Sequence, residues 1–133
     1  MILGVDPIDL RPLANALEVI AECDLDNLRD GETHSFDEPR SRKAIDDAVK
    51  SFTRWVYDRS DDEPHYRRGL AYLLSLDDDA LLARTREFHL HLPRDRADVH
   101  RRFLRMLWDA TFAPPEIYLH DPEDVELVGD DEP

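Results

Sequence analysis

Lys43-Ala44-Ile45-Asp46-Asp47-Ala48-Val49-Lys50-Ser51-Phe52-Thr53-Arg54-Trp55-Val56 is the stretch that decides the fold. Ile45, Val49, Phe52 and Val56 recur at the spacing of one helix face, widened by Ala48 and Trp55. The opposite face alternates in sign: Arg42/Asp46, Lys43/Asp47, Asp46/Lys50 and Arg54/Asp58 all stand four residues apart, where helical neighbours meet. Ser35 and Glu38 have the spacing of a capping box, which puts the helix start near Phe36–Arg40. The polar run Asp58–Glu63 ends it.

The same period extends in both directions. Leu10, Leu13, Leu17 and Ile20 define an earlier helix with Asp9 as N-cap and Pro12 in its first turn. The polar stretch Asp24–Asp37 reads as a loop. A third helix begins around Asp62-Glu63-Pro64 and carries Tyr66, Leu70, Leu73 and Leu74. A fourth follows a break near Ser75, with Asp77, Asp78 and Asp79 in its cap and first turn, where carboxylates suit the helix dipole. Leu81, Leu82, Thr85 and Phe88 form its apolar side. The fifth runs from about Asp95 to Phe112 on Val99, Phe103, Met106, Leu107 and Ala110, and Pro114-Pro115 stops it. Beyond it, Ile117, Leu119, Val125 and Leu127 suggest extended pieces, with room for a short hairpin.

The expected fold is therefore all-α: a single-domain bundle of about five helices with a short extended C-terminal segment. Residues 1–128 form the helical domain and 129–133 an acidic tail, with the second and fifth helices as the central packing pair. A chain of 133 residues is long enough for one ordinary core without staples. Cys23 is the only cysteine, so no disulfide forms within the chain. The N-terminus lacks the basic and apolar regions of a signal peptide, and no stretch approaches the ~18 apolar residues of a membrane span. These features predict a cytoplasmic protein.

Charge is sorted along the chain. Residues 1–39 carry −8, residues 40–105 carry +3 and residues 106–133 carry −9, giving the net −14. An overall charge of this sign opposes long-range attraction to nucleic acid or anionic lipid and favours basic partners. The leading expectation is a non-enzymatic acidic interaction protein that docks on or neutralises a basic protein, in the manner of an immunity protein, an antitoxin or a small complex subunit. Asp121, Glu123, Asp124 and Glu126 are its candidate contacts, with Asp24, Asp26 and Asp30 as a second acidic patch.

Two alternatives come from the middle block. Arg94, Arg96, Arg101, Arg102 and Arg105 are its densest basic run, and the fourth and fifth helices outline a helix-turn-helix that would set these arginines against phosphates. Against this, Arg94/Asp98, Asp98/Arg102 and Arg105/Asp109 have the spacing to pair internally, and the connector 89–95 is too long for that motif. The second alternative is a metal protein. If residues 87–92 are extended, Glu87, His89 and His91 share one face, a known ligand set for zinc or iron, with Phe88, Leu90 and Leu92 on the other. His100 or His120 would be the remote additions. The competing reading is a helix C-terminus whose imidazoles favour the negative dipole end.

Enzyme signatures are missing. Four glycines build no phosphate loop, there is no Gly-x-Ser-x-Gly elbow, and acidic neighbours disfavour the Cys23 thiolate. No cofactor is expected.

Overall fold

The computed structural model describes residues 8–25, 33–112 and 127–128. Among them are five α-helices: α1 (Arg11–Ile20), α2 (Pro39–Asp58), α3 (Glu63–Ser75), α4 (Asp78–Thr85) and α5 (Ala97–Thr111). The all-α expectation holds, and the helices share one hydrophobic core. None of them is long and apolar enough to cross a membrane.

Packing follows the sequence periodicity. On α2, Ala44, Ile45, Ala48, Val49, Phe52 and Val56 are buried, and on α5 Phe103, Leu104, Leu107 and Trp108 are buried against them. These two helices make the most extensive helix–helix contact, tied near their C-terminal ends by a 3.0 Å hydrogen bond between the Thr53 and Thr111 hydroxyls. Helix α1 buries Leu13, Ala16, Leu17 and Ile20. It continues into a π-helical turn, Ala21–Leu25, that brings Leu25 fully into the core. Helix α3 crosses α1 where Gly69 stands: a Cβ there would lie 2.9 Å from Leu13 Cδ2. Phe52 and Tyr66 meet edge to face at 6.2 Å, joining α2 to α3.

Helix starts are partly as expected. Asp77 caps α4, its Oδ1 accepting from the Ala80 N–H at 2.8 Å. The other two caps shift. Leu10, not Asp9, is the N-cap of α1, because Asp9 belongs to a short strand; its carboxylate instead accepts from the Arg11 N–H and guanidinium. That hydrogen bonding holds the Asp9 carboxyl below its ordinary pKa. Helix α2 starts at Pro39 with Glu38 as N-cap and no side-chain cap. Ser35 serves the preceding turn, accepting from the Asp37 N–H, so the Ser35/Glu38 box does not form.

The extended C-terminal piece is Leu127–Val128. Its partner is not a neighbouring stretch of the C-terminal segment but Ile8–Asp9, in parallel register, so the two ends of the domain lie side by side. The tail 129–133 lies outside the described residues.

Candidate functional site

The sequence-predicted acidic contacts Asp121, Glu123, Asp124, Glu126, Asp26 and Asp30 lie outside the described residues. Asp24 is half-buried in the π-helical turn, and its Oδ2 is enclosed with no hydrogen-bond partner among the described residues.

The arginine run is scattered in its engagements. Arg101 turns back under α3: Nη1 donates to the Leu74 carbonyl, and Nη2 to the Leu76 carbonyl and to Asp78 Oδ1, each at 3.0 Å. Arg102 stacks over the Phe36 ring at 4.1 Å. Arg105 pairs with Asp109, as its spacing predicts. Asp98 is taken neither by Arg94 nor by Arg102 but by Arg96, through two hydrogen bonds of 2.9 and 2.8 Å. That bidentate contact lowers the Asp98 carboxyl to about 2. Helix α5 buries Ala97, His100, Phe103, Leu104, Leu107 and Trp108, so the helix meant for a groove is a core helix.

The metal triad rests on an extended 87–92, and the structure corrects that geometry. Arg86–Phe88 is a 3-10 turn that prolongs α4, and it ends on His89 in the left-handed conformation (φ 54°). His91 is left-handed too (φ 59°). The strand face that would align Glu87, His89 and His91 is absent. Among the described residues no three His, Cys, Asp or Glu side chains gather as a metal-binding group. The in–out alternation nonetheless survives: Phe88, Leu90 and Leu92 are buried, whereas Glu87 and His89 are exposed and His91 is half-buried.

Two buried histidines hold this connector. The His100 ring, 5% exposed, lies with Nε2 2.7 Å from the Pro93 carbonyl and Nδ1 2.8 Å from Thr85 Oγ1. The carbonyl can only accept, so Nε2 carries the proton and the neutral ring receives the Thr85 hydroxyl at Nδ1. His34, fully buried, donates from Nε2 to the Leu25 carbonyl at 2.8 Å and receives the Ser41 hydroxyl at 3.1 Å. Its backbone N–H donates to the His91 carbonyl. Burial pushes both imidazoles below their ordinary pKa, chiefly because a buried cation loses its hydration. Sequence reasoning did not single out His34, and no periodicity marks it. Its ring ties the Leu25 carbonyl to Ser41, and only its backbone N–H reaches the 89–95 connector.

A second site lies at the corner between α2 and α3. Tyr57 is the one large apolar side chain exposed among the described residues, at 82%. It edges a cavity of about 540 Å³ walled by Val56, Glu63, Arg67 and Phe112. Asp58, Asp61 and Asp62, within five residues of Tyr57 along the chain, are exposed. Of the nearby cations, Arg59 lies 3.5 Å over the Trp55 ring and Arg67 pairs with Glu63 at 2.6 Å, whereas the exposed Lys50 and Arg54 line a second hollow together with Tyr57. Tyr57 follows Val56 of the apolar stripe directly in the chain. The structure leaves it outside because Val56 takes the core position.

No protein-family model, curated protein or solved structure matches this chain.

Proposed function

We propose that this chain is a non-enzymatic interaction protein that docks a basic protein partner at the α2–α3 corner. The exposed Tyr57 side chain beside its cavity carries the reading. Tyrosine is enriched among residues that anchor interfaces, because it contributes a large rigid area at little entropic cost. Asp58, Asp61 and Asp62 would add negative charge at that corner, and the net −14 of the chain would steer a cationic protein toward it. The most concrete form is a subunit that neutralises a basic protein, as immunity proteins and antitoxins do. The acidic stretch holding Asp121, Glu123, Asp124 and Glu126 would add to the attraction.

The internal engagement of Arg96, Arg101, Arg102 and Arg105 favours this reading over phosphate binding along α5. The test is affinity capture from nuclease-treated native extract by three baits: the native chain, Tyr57→Ala, and a triple charge reversal of Asp58, Asp61 and Asp62 to Lys. The reading expects one protein of pI above ~9, retained by the native bait and lost with both variants. It fails if retention is the same on all three baits, or if nucleic acid is what the native chain retains.

A further inference from the structure

We propose that the connector between α4 and α5 builds a binding pocket for a phosphate-type oxyanion, such as the phosphate of a small phosphomonoester. A cavity of about 670 Å³ opens there, sharing no lining residue with the cavity beside Tyr57. Arg86, Arg94, His89 and His91 line it, together with the Thr33 and Thr85 hydroxyls, and Leu82, Leu90 and Leu92 supply its apolar wall. Among the described residues no carboxylate lines it, although 31 of the 133 residues are Asp or Glu. The charge of those lining residues is opposite in sign to that of the whole chain. Among the described residues neither Arg86 nor Arg94 is held in an ion pair, unlike Arg67, Arg96, Arg101 and Arg105.

The backbone points the same way. His89 and His91 are the only non-glycine residues with positive φ among those described. Left-handed backbone is unfavourable for a residue that carries a side chain, and such positions concentrate where a site needs a particular presentation. Here the two bends turn Leu90 and Leu92 into the core and set both imidazoles on the cavity between them. The bends are locked from behind by the His34 N–H on the His91 carbonyl and by His100 on Pro93. His100 spends both ring nitrogens on those contacts, so it is a positioning residue. The ligand contacts fall to the two guanidiniums and the exposed His89 imidazole, a donor set matched to phosphate oxygens, with His91 in the lining beside them.

The experiment titrates the full-length protein with inorganic phosphate and with n-butyl phosphate at constant ionic strength. Binding is read by calorimetry and by the imidazole proton resonances. Chloride at matched strength is the blank. The expected result is saturable binding of at least one of the two phosphates, with His89 and His91 resonances moving. An Arg86→Gln/Arg94→Gln variant with unchanged circular dichroism would weaken it by ~10-fold or more. Tighter binding of the butyl ester would place an organic phosphate in the pocket, using the leucine wall; equal binding would mean that the oxyanion alone is recognised. The proposal is overturned if neither phosphate saturates, or if the double variant binds as the native chain does. Tyr57→Ala should leave the titration unchanged, which keeps this pocket separate from the docking corner.

Discussion

The His100 imidazole is hydrogen-bonded to the Pro93 carbonyl across 2.7 Å, so a helix that belongs to the core also fixes the loop that precedes it. The ring is buried and neutral, and His34, whose backbone N–H meets the connector at the His91 carbonyl, stands in the same condition. Pro93 offers only an acceptor, so the contact depends on which nitrogen of His100 holds the proton. It also depends on Thr85, the residue that closes α4. One side chain thereby couples α4, the connector and α5.

Stability should fall as pH drops through the histidine range. The unfolded chain binds a proton at each imidazole near pH 6.5, whereas burial holds both folded-state values lower. The unfolded state thus gains protons first, so the contribution of both residues is complete above pH 6.5 and is lost as pH falls below it. Asp98 opposes the shift at His100, and His91 and Arg40 reinforce it at His34. Urea melts from pH 8 to pH 5 check this. A His34→Gln/His100→Gln chain should be less stable at pH 8 and show a flatter profile; parallel profiles would remove both histidines as the cause.

Arg101→Ala should destabilise the fold although the residue is charged and partly exposed. Its guanidinium satisfies the Leu74 and Leu76 carbonyls at the end of α3, where helix geometry leaves carbonyls without partners. The loss should be about 1–2 kcal/mol, after screening at a side chain about one-third exposed. The Asp78 arm adds little, because that carboxylate is mostly in solvent. Arg101→Lys should recover only part, since one ammonium cannot reach both carbonyls in the fork geometry. Equal stability of Arg101→Ala and the native chain in chemical denaturation would refute the clasp.

Gly69 should tolerate alanine and reject valine. Alanine gains up to ~1 kcal/mol of helix propensity and must displace one terminal methyl of Leu13, so the two effects nearly cancel. Valine adds two more carbons at a crossing where Leu13 is fully buried, and overpacking of this kind costs about 1–3 kcal/mol. Thermal midpoints of the two variants decide the matter. A valine chain as stable as native would mean that α1 and α3 can separate without loss.

Tyr57 and Tyr66 should behave oppositely. Tyr57→Ala should change stability by less than ~0.5 kcal/mol, because almost all of the side chain is already in water. Tyr66→Ala should cost about 3–5 kcal/mol, as for other large aromatic truncations in a core. It is 2% exposed and receives the Trp55 indole N–H at 2.9 Å. If Tyr57→Ala unfolded the protein, its exposed placement would be wrong and it could not serve as an anchor.

The helices were legible in the sequence because their signal is local. Ile45, Val49, Phe52 and Val56 specify the buried face of α2 whatever packs against it, and Asp77 caps α4 through a bond three residues away. The inward alternation of Phe88, Leu90 and Leu92 was legible for the same reason, although the backbone beneath it is bent rather than extended. Tertiary structure decided the rest. Asp98 had two arginines at helical spacing, Arg94 and Arg102, and the chain path after Pro93 gave it to Arg96 instead. Arg101 meets α3 from more than twenty residues away, and His34 meets the His91 strand of backbone across more than fifty. Both contacts need distant segments brought together by the core. The sequence by itself determined which faces are apolar and where the helices lie, since each follows from neighbours within a turn or two. The fold alone decided which charges are spent internally and which side chains surround a cavity, because those contacts depend on how separate helices cross.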